Sequence, residues 1–328
     1  MDGETVAATV VGVDVTDRPG QPFGTITARV RDTGEPVELV ADWEMPAANF
    51  RPGAAIRLVR LANSTAGADA VPNAEYLFLD FDRTLPLLVI GIVFVGAVLL
   101  VARLKGLAAL AGLAGGAATV WLFTLPALAT GRNPVAVALV SASAVMFLVV
   151  YTSHGVSLKS TAALLSTLIS VTVVALGGWL AMSAAHIHPQ TTGDMRELSV
   201  TFPGMDLRGI LLCGMVLAGA GVLNDVTITQ AATVWELRSA NPALTRRQLA
   251  QSAMRIGQDH IASSVYTIAF AYVGATLALL LMSQQLLLTA RGILSLGDIA
   301  QELLIVAVTS TGMVLAIPLS TALSSALI

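Results

Sequence analysis

Between Leu85 and Leu327 the sequence runs through seven mainly apolar stretches, and each is close to or beyond the ~20 residues a helix needs to cross a bilayer. Their cores are Leu85–Ala102, Leu107–Ala129, Pro134–Tyr151, Thr161–Ala185, Gly209–Glu236, Ile261–Met282 and Leu303–Leu327. A chain of this kind has few ways to fold. Inside hydrocarbon every backbone N–H and C=O must find a partner within the protein, and continuous helices meet that demand segment by segment. Composition agrees: 55% of the 328 residues are hydrophobic and 12% are charged, against about 25% charged in soluble domains. The mean hydropathy is +0.78. A wholly soluble enzyme and a disordered chain are excluded. So is a disulfide scaffold, because Cys213 is the single cysteine.

The first 83 residues are different. They hold seven Arg against thirteen Asp or Glu, a net charge of −6, whereas residues 84–328 carry +3, giving −3 for the whole chain. The organisation expected is a polar domain over 1–83 followed by a membrane domain over 84–328. Thr5–Val15, Gly24–Arg31, Pro36–Val40, Ala55–Leu61 and Tyr76–Phe81 are rich in β-branched and aromatic residues. Turn chemistry separates them at Arg18-Pro19-Gly20, Thr33-Gly34-Glu35 and Arg51-Pro52-Gly53. Ile26, Ala28 and Val30 alternate with Thr27, Arg29 and Arg31, and Ile56 and Leu58 with Arg57 and Arg60. This predicts a small all-β barrel or sandwich, with a loop over 62–75. The domain has no His and no Cys, its acids fall at turns or polar strand faces, and it reads as a binding or spacer module. Nucleic acid is not an expected partner, since phosphate binding needs clustered Lys and Arg.

Charge in the connections orients the chain. With the β-domain outside, the inner connections hold Arg103, Lys105, Lys159, Arg238, Arg246, Arg247 and Arg255, and the outer ones Arg132, Arg196, Arg208 and Arg291. Seven against four satisfies the positive-inside rule, with the C-terminus cytoplasmic. Met1-Asp2-Gly3-Glu4 has neither a basic nor an apolar leader region. Either the first span translocates its own N-terminal tail, or an upstream signal-anchor helix precedes this chain.

Two carboxylates stand out within the spans, Asp225 in Gly221-Val222-Leu223-Asn224-Asp225 and Asp259 in Gly257-Gln258-Asp259-His260. A mid-membrane Asp costs about 2.5–3.5 kcal/mol on insertion scales, which makes such residues functional candidates. At helical spacing Asp225, Thr229, Thr233 and Glu236 share one face of the fifth span. Ser252, Arg255, Asp259, Ser263 and Tyr266 share one face of the sixth, with His260, Ser264 and Thr267 beside them. The expected polar core for ion or proton coupling is Asn224, Asp225, Thr229, Gln230, Arg255, Asp259, His260 and Ser263, with the two stripes facing across a wet crevice. The competing reading is structural, with Asp259 paired by Arg255 and Asp225 capped by Asn224, Thr229 or His260, or with both carboxylates near the inner interface.

GVLNDVTITQAATVWELRSANP (Gly221–Pro242) and MRIGQDHIASSVYTIAFAYVGA (Met254–Ala275) closely resemble the YibE/F family of multi-spanning bacterial membrane proteins, and the likeness extends from Asp82-Arg83-Thr84 through the surrounding spans. The resemblance implies a bacterial plasma-membrane protein with an extracytoplasmic domain, and members usually begin with an extra N-terminal hydrophobic segment. It implies architecture more than activity. The order Gly221-x-x-Asn224-Asp225, a basic helix end, then a Ser/Thr-rich helix start also looks like the core of the resistance-nodulation-division exporters and the SecD/SecF translocation subunits. Carried over, Asp225 is the protonation site and Thr229 and Ser263 are its hydroxyl partners. The large extracytoplasmic insertions and second helical repeat of those exporters have no counterpart here.

Other motifs carry less. His186-Ile187-His188 with Asp194 and Glu197 lacks a complete metal-ligand spacing. Asn224 before Asp225 and Gln258 before Asp259 depart from the intramembrane aspartyl protease pattern, which has Gly before its second Asp. Gly112 and Gly116 form a GxxxG suited to packing inside the molecule. His154 is expected as a polar helix end and Cys213 as inert packing. The expectation is therefore a membrane all-α bundle of about seven helices with a small N-terminal all-β domain. It is not an enzyme, uses no cofactor, and has the lipid bilayer as its constant partner. Two functions fit: a permease for a small solute or ion, coupled to protons or another cation, or a non-transporting scaffold or accessory subunit whose outer domain binds an extracytoplasmic protein.

Overall fold

The computed structural model describes residues 3–15, 24–40, 47–61, 76–187, 189, 193–285 and 289–328, and the chain divides into two compact units, Met1–Leu100 and Val101–Ile328. In the first, strands β1 (Gly3–Val15), β2 (Gly24–Val30), β3 (Pro36–Val40), β4 (Ala55–Leu61) and β5 (Tyr76–Phe81) form one antiparallel sheet in the order β3-β2-β1-β4-β5. The 13-residue β1 pairs through Gly3–Thr9 with β4 and through Ala8–Val15 with β2, with a register shift between Val10 and Gly12. One long strand shared in this way bends the sheet into a half-barrel. The hydroxyl of Tyr76, which opens β5, donates to Glu35 Oε2 (3.4 Å) beside β3 and draws the two edges together.

Side-chain alternation decides the inside of this barrel. Ile26, Ala28, Val30, Ile56 and Leu58, the apolar members of the alternating runs, are all buried with Ala8, Val10, Val37 and Leu39. Phe50, Phe78 and Phe81 close one end, with ring centroids 4.9–5.5 Å apart. Gly34 (φ 70°) and Gly53 (φ 87°) occupy left-handed positions in the two expected turns that are described, a conformation that costs glycine little. The expected turn at Arg18-Pro19-Gly20 and the loop over 62–75 lie outside the described residues.

The rest is helical: α1 (Thr84–Thr119), α2 (Leu125–Ala129), α3 (Pro134–His154), α4 (Leu158–Ala184), α5 (Gly193–Thr201), α6 (Leu207–Ala240), α7 (Arg246–Ala275), α8 (Leu277–Gln285), α9 (Ala290–Leu294) and α10 (Gly297–Leu327). Local chemistry sets several starts. Asn133 before Pro134, Ser157, Asp206 and Thr245 each accept a hydrogen bond from a first-turn N–H, and Thr245 forms a reciprocal capping box with Gln248.

Seven separate spans were expected. Among the described residues five helices are long and apolar enough to cross a membrane, or six if the pair α7 and α8, bent by 62° at Thr276, counts as one. One difference arises at the sixth expected span, which is divided between α7 and α8, and the other at the front, where the first two expected spans form a single run, Thr84–Ala129, of 46 residues. Arg103 interrupts that run with non-helical backbone (φ 52°, ψ −129°). Near Pro126, which supplies no N–H and crowds the preceding turn, the helix loosens into a π-turn over Val120–Thr124. α10 continues through Pro318 to Leu327.

In the second unit α3, α4, α6 and α10 pack around one apolar core that includes Met146, Val174, Leu212, Met215, Leu223, Met313 and Ile317. Glycines permit the closest approaches. A methyl at Gly178 would stand 2.6 Å from Met215 Sδ, and one at Gly219 3.3 Å from Val174 Cγ1. Gly112 and Gly116 meet Val149 and Val145 of α3, so the GxxxG packs within the chain. Cys213 is buried.

Candidate functional site

The interior of the helical unit is polar along one seam. Thr167 of α4 and Thr227 of α6 share a hydroxyl–hydroxyl bond of 2.6 Å, and Ser320 of α10 donates to the Thr227 carbonyl at 2.9 Å. One turn further along α6, Gln230 Nε2 donates to the Ala253 carbonyl of α7 (2.9 Å) and to Thr321 Oγ1 of α10 (2.7 Å). Gly257 is the floor on which Gln230 lies, since a methyl there would be 2.8 Å from Gln230 Oε1. Thr167, Thr227, Gln230, Ser320 and Thr321 are all at most 3% exposed. The seam is neutral and mostly satisfied, as a buried network must be. Oxygens of Ser170, Asn224, Ser324 and Ser325 are buried with no partner among the described residues.

Of the eight residues expected to form the polar core, Gln230 belongs to this seam and Asn224 reaches into the interior with its Oδ1. Asp225, Thr229, Arg255, Asp259, His260 and Ser263 are exposed. The structural pairing does not form: Arg255 Nη2 donates to Ser252 Oγ (3.1 Å) on its own helix, and among the described residues neither aspartate has a hydrogen bond or an ion pair. Thr229 and His260 take part through their carbonyls, which accept from Thr233 and Ser263.

Helix geometry explains this division. The Gln230–Gly257 contact fixes the antiparallel register of α6 and α7, so Asp259 is level with residue 228 and Asp225 with residue 262. The two carboxylates are offset by three residues, about 5 Å along the axis. Asp225 stands 17 residues after Arg208 and 13 before Arg238, well inside α6. At about 100° per residue, Asp259 is turned about 200° from Gly257, away from the face that packs on α6. The two polar stripes therefore lie at similar depth without facing each other across a crevice of their own chain.

Sequence reading missed Thr167, Thr227, Ser320 and Thr321. The available signal was hydroxyls recurring at helical spacing in apolar helices, as Thr167 and Ser170 do in α4 and Ser320, Thr321, Ser324 and Ser325 in α10. Of the group His186, His188, Asp194 and Glu197, His188 and the side chain of Asp194 lie outside the described residues. His186 Nδ1 is 3.1 Å from the Ala184 carbonyl. Among the described residues no three His, Cys, Asp or Glu side chains gather as a metal-ligand set.

A family model described as YibE/F-like protein matches residues 90–328, more than two thirds of the chain. No curated protein and no solved structure matches.

Proposed function

This chain belongs to the YibE/F-like family, and on that premise we propose that it is a permease of the bacterial plasma membrane, moving a small solute or ion in step with protons or another cation. One observation carries the reading: Asp225 and Asp259, close in depth on neighbouring helices, both lack a fixed partner among the described residues. A carboxylate locked to an arginine holds one charge state, whereas an unpaired one can bind and release a cation. Asp225 is the coupling site, with the Thr229 hydroxyl one turn along the same face of α6. Asp259 is a second acceptor, with Arg255 and His260 setting the local field. Asn224 and Gln230 tie this region to the buried seam. The reading includes no enzymatic step and no cofactor, and it places the β-domain outside the cell and the C-terminus in the cytoplasm.

Carbodiimide labelling of the purified protein with and without an added cation, read by peptide mass spectrometry, tests it, because the reagent modifies carboxyls and a bound cation shields the one that holds it. Labelling of Asp225 or Asp259, suppressed by one added cation and not by others, is expected. Labelling of neither while other acids react refutes the coupling role.

A second reading has its own support. The half-barrel leaves Val15, Val40, Leu77 and Leu79 at least half exposed, a surface suited to a protein partner. An accessory subunit docking through it would tolerate Asp225→Asn with no loss of function, whereas the permease would not.

A further inference from the structure

The hairpin that joins the first helical run to α3 is closed along its length and open near its turn. Methyls built on Gly112 and Gly116 would stand 3.4 Å from Val149 Cα and 3.3 Å from Val145 Cγ1, and the buried Thr124 hydroxyl donates to Ser141 Oγ at 2.7 Å. Between that bond and the turn at Thr130–Asn133 lies a groove of about 670 Å³. From Asn133 to Val140 it follows about 10 Å of helix. Its wall is apolar: Leu122, Phe123 and Val140 line it and are 73%, 42% and 54% exposed. Its mouth is cationic, because Arg132 lines it too. The Thr130 hydroxyl donates to the Pro126 and Ala127 carbonyls (3.0 Å each) and the Arg132 N–H to the Ala127 carbonyl (3.1 Å), which fixes the turn that carries this arginine. Among the described residues the Arg132 guanidinium has no ion pair and no hydrogen bond. The sequence has no Asp or Glu from Thr84 to Gly193. The Asp206 carboxylate, close to Pro134, caps α6 through the Gly209 N–H (3.0 Å).

We propose that this groove holds an anionic phospholipid, its phosphate on Arg132 and one acyl chain along Leu122, Phe123 and Val140. A guanidinium meets phosphate oxygens with paired N–H donors, and charge-assisted bonds of this kind are the strong ones. Asn133 adds to the site. Its Oδ1 accepts from the Ala136 N–H (3.1 Å), which leaves the amide NH2 to donate, and α3 turns the positive end of its dipole to the same mouth. A choline or ethanolamine headgroup brings a cation for which α1–α4 offer no carboxylate, so a net negative headgroup is preferred. Depth agrees as well: the arginine stands at the helix end, at headgroup level, with the apolar wall beneath it. With the β-domain outside the cell this is the outer leaflet. The chain's own first apolar segment, Leu85–Ala102, has no acid to meet Arg132. The inference rests on the chain spanning a bilayer and not on transport, so its test is independent of any coupling.

The test is native mass spectrometry of the delipidated protein, titrated with phosphatidylglycerol or with phosphatidylcholine of the same chains. The first phosphatidylglycerol should bind more tightly than the first phosphatidylcholine. Arg132→Gln should weaken phosphatidylglycerol binding by about tenfold or more, as loss of a charged hydrogen bond does, and remove the preference. Arg196→Gln on α5, which deletes the same charge elsewhere, should leave both unchanged. Val140→Trp fills the groove from an exposed position and should weaken both lipids. Glycerol 3-phosphate, a headgroup without chains, should displace neither. Equal affinity for the two lipids, unchanged binding in Arg132→Gln or Val140→Trp, or the same loss in Arg196→Gln overturns the proposal. So does displacement by glycerol 3-phosphate, which marks a site for free phosphate, or a two-chain species lost in Val140→Trp, which puts a second copy in the groove.

Discussion

Replacing Gly257 by alanine adds one methyl at a tight polar contact of the helical unit. That methyl would stand 2.6 Å from Ile317 Cγ2, 2.8 Å from Gln230 Oε1 and 3.1 Å from Gln230 Nε2. Neither neighbour can step aside freely. Ile317 is 1% exposed, and Gln230 is held by bonds of 2.9 Å to the Ala253 carbonyl and 2.7 Å to Thr321 Oγ1. Relief requires α7 to move outward or Gln230 to break its bonds. Overpacking of this kind costs about 1–3 kcal/mol, partly offset by alanine's helix advantage of about 1 kcal/mol over glycine. Gly274→Ala on the same helix is the control, since a methyl there meets nothing within 4 Å. The two variants should differ by about 1–3 kcal/mol, roughly 5- to 160-fold in the unfolding equilibrium. Unfolding of both proteins in mixed micelles, followed by near-UV signal against denaturing detergent, measures the gap. If Gly257→Ala is as stable as Gly274→Ala, the packing of Gln230 between α7 and α10 is wrong.

The seam makes a second prediction. Gln230→Leu keeps the volume and removes both bonds, yet Thr321 Oγ1 still donates to the Ile317 carbonyl (2.8 Å), so that hydroxyl keeps a partner. Its cost should stay near 1 kcal/mol, in line with about 0.6 kcal/mol per interhelical bond in membranes, and a loss of several kcal/mol in the same assay would contradict this. A third prediction concerns acid. The hydrogen bond from Arg83 (2.7 Å), aided by the Phe81 amide, holds Asp80 below the usual carboxylate range, and the Thr84 hydrogen bond does the same for Asp82. A folded value below the unfolded one means that their contribution is complete above about pH 4. It is lost only as pH falls through the lowered values. Carboxyl-carbon NMR titrations of both should show midpoints below 3.8, and midpoints at or above it would refute the assignment.

Much of the β-domain was legible because a strand with one face buried writes that face into every second residue. The observed strands Pro36–Val40, Ala55–Leu61 and Tyr76–Phe81 have the bounds read from alternation and turn residues, and Gly24–Val30 differs by one. Helix starts at Asn133, Ser157, Asp206 and Thr245 were equally local, set by a side chain and an N–H three residues away.

The site was different. Asn224 and Asp225 are adjacent, yet one turns an oxygen into the interior and the other faces out. Polarity marks both as costly in a membrane without saying which side of the helix has neighbours. In a soluble helix the apolar stripe answers that question, but here protein interior and lipid are both apolar, and α6 carries no periodic signal separating them. The hydroxyl seam joins residues 60 and 93 positions apart, Thr167 with Thr227 and Thr227 with Ser320. Length and apolarity alone determined that such a chain forms long helices, because a backbone leaving water must bond to itself. Which polar groups meet inside the bundle was decided only when α4, α6, α7 and α10 packed, since a hydroxyl finds its partner across helices through their register and rotation.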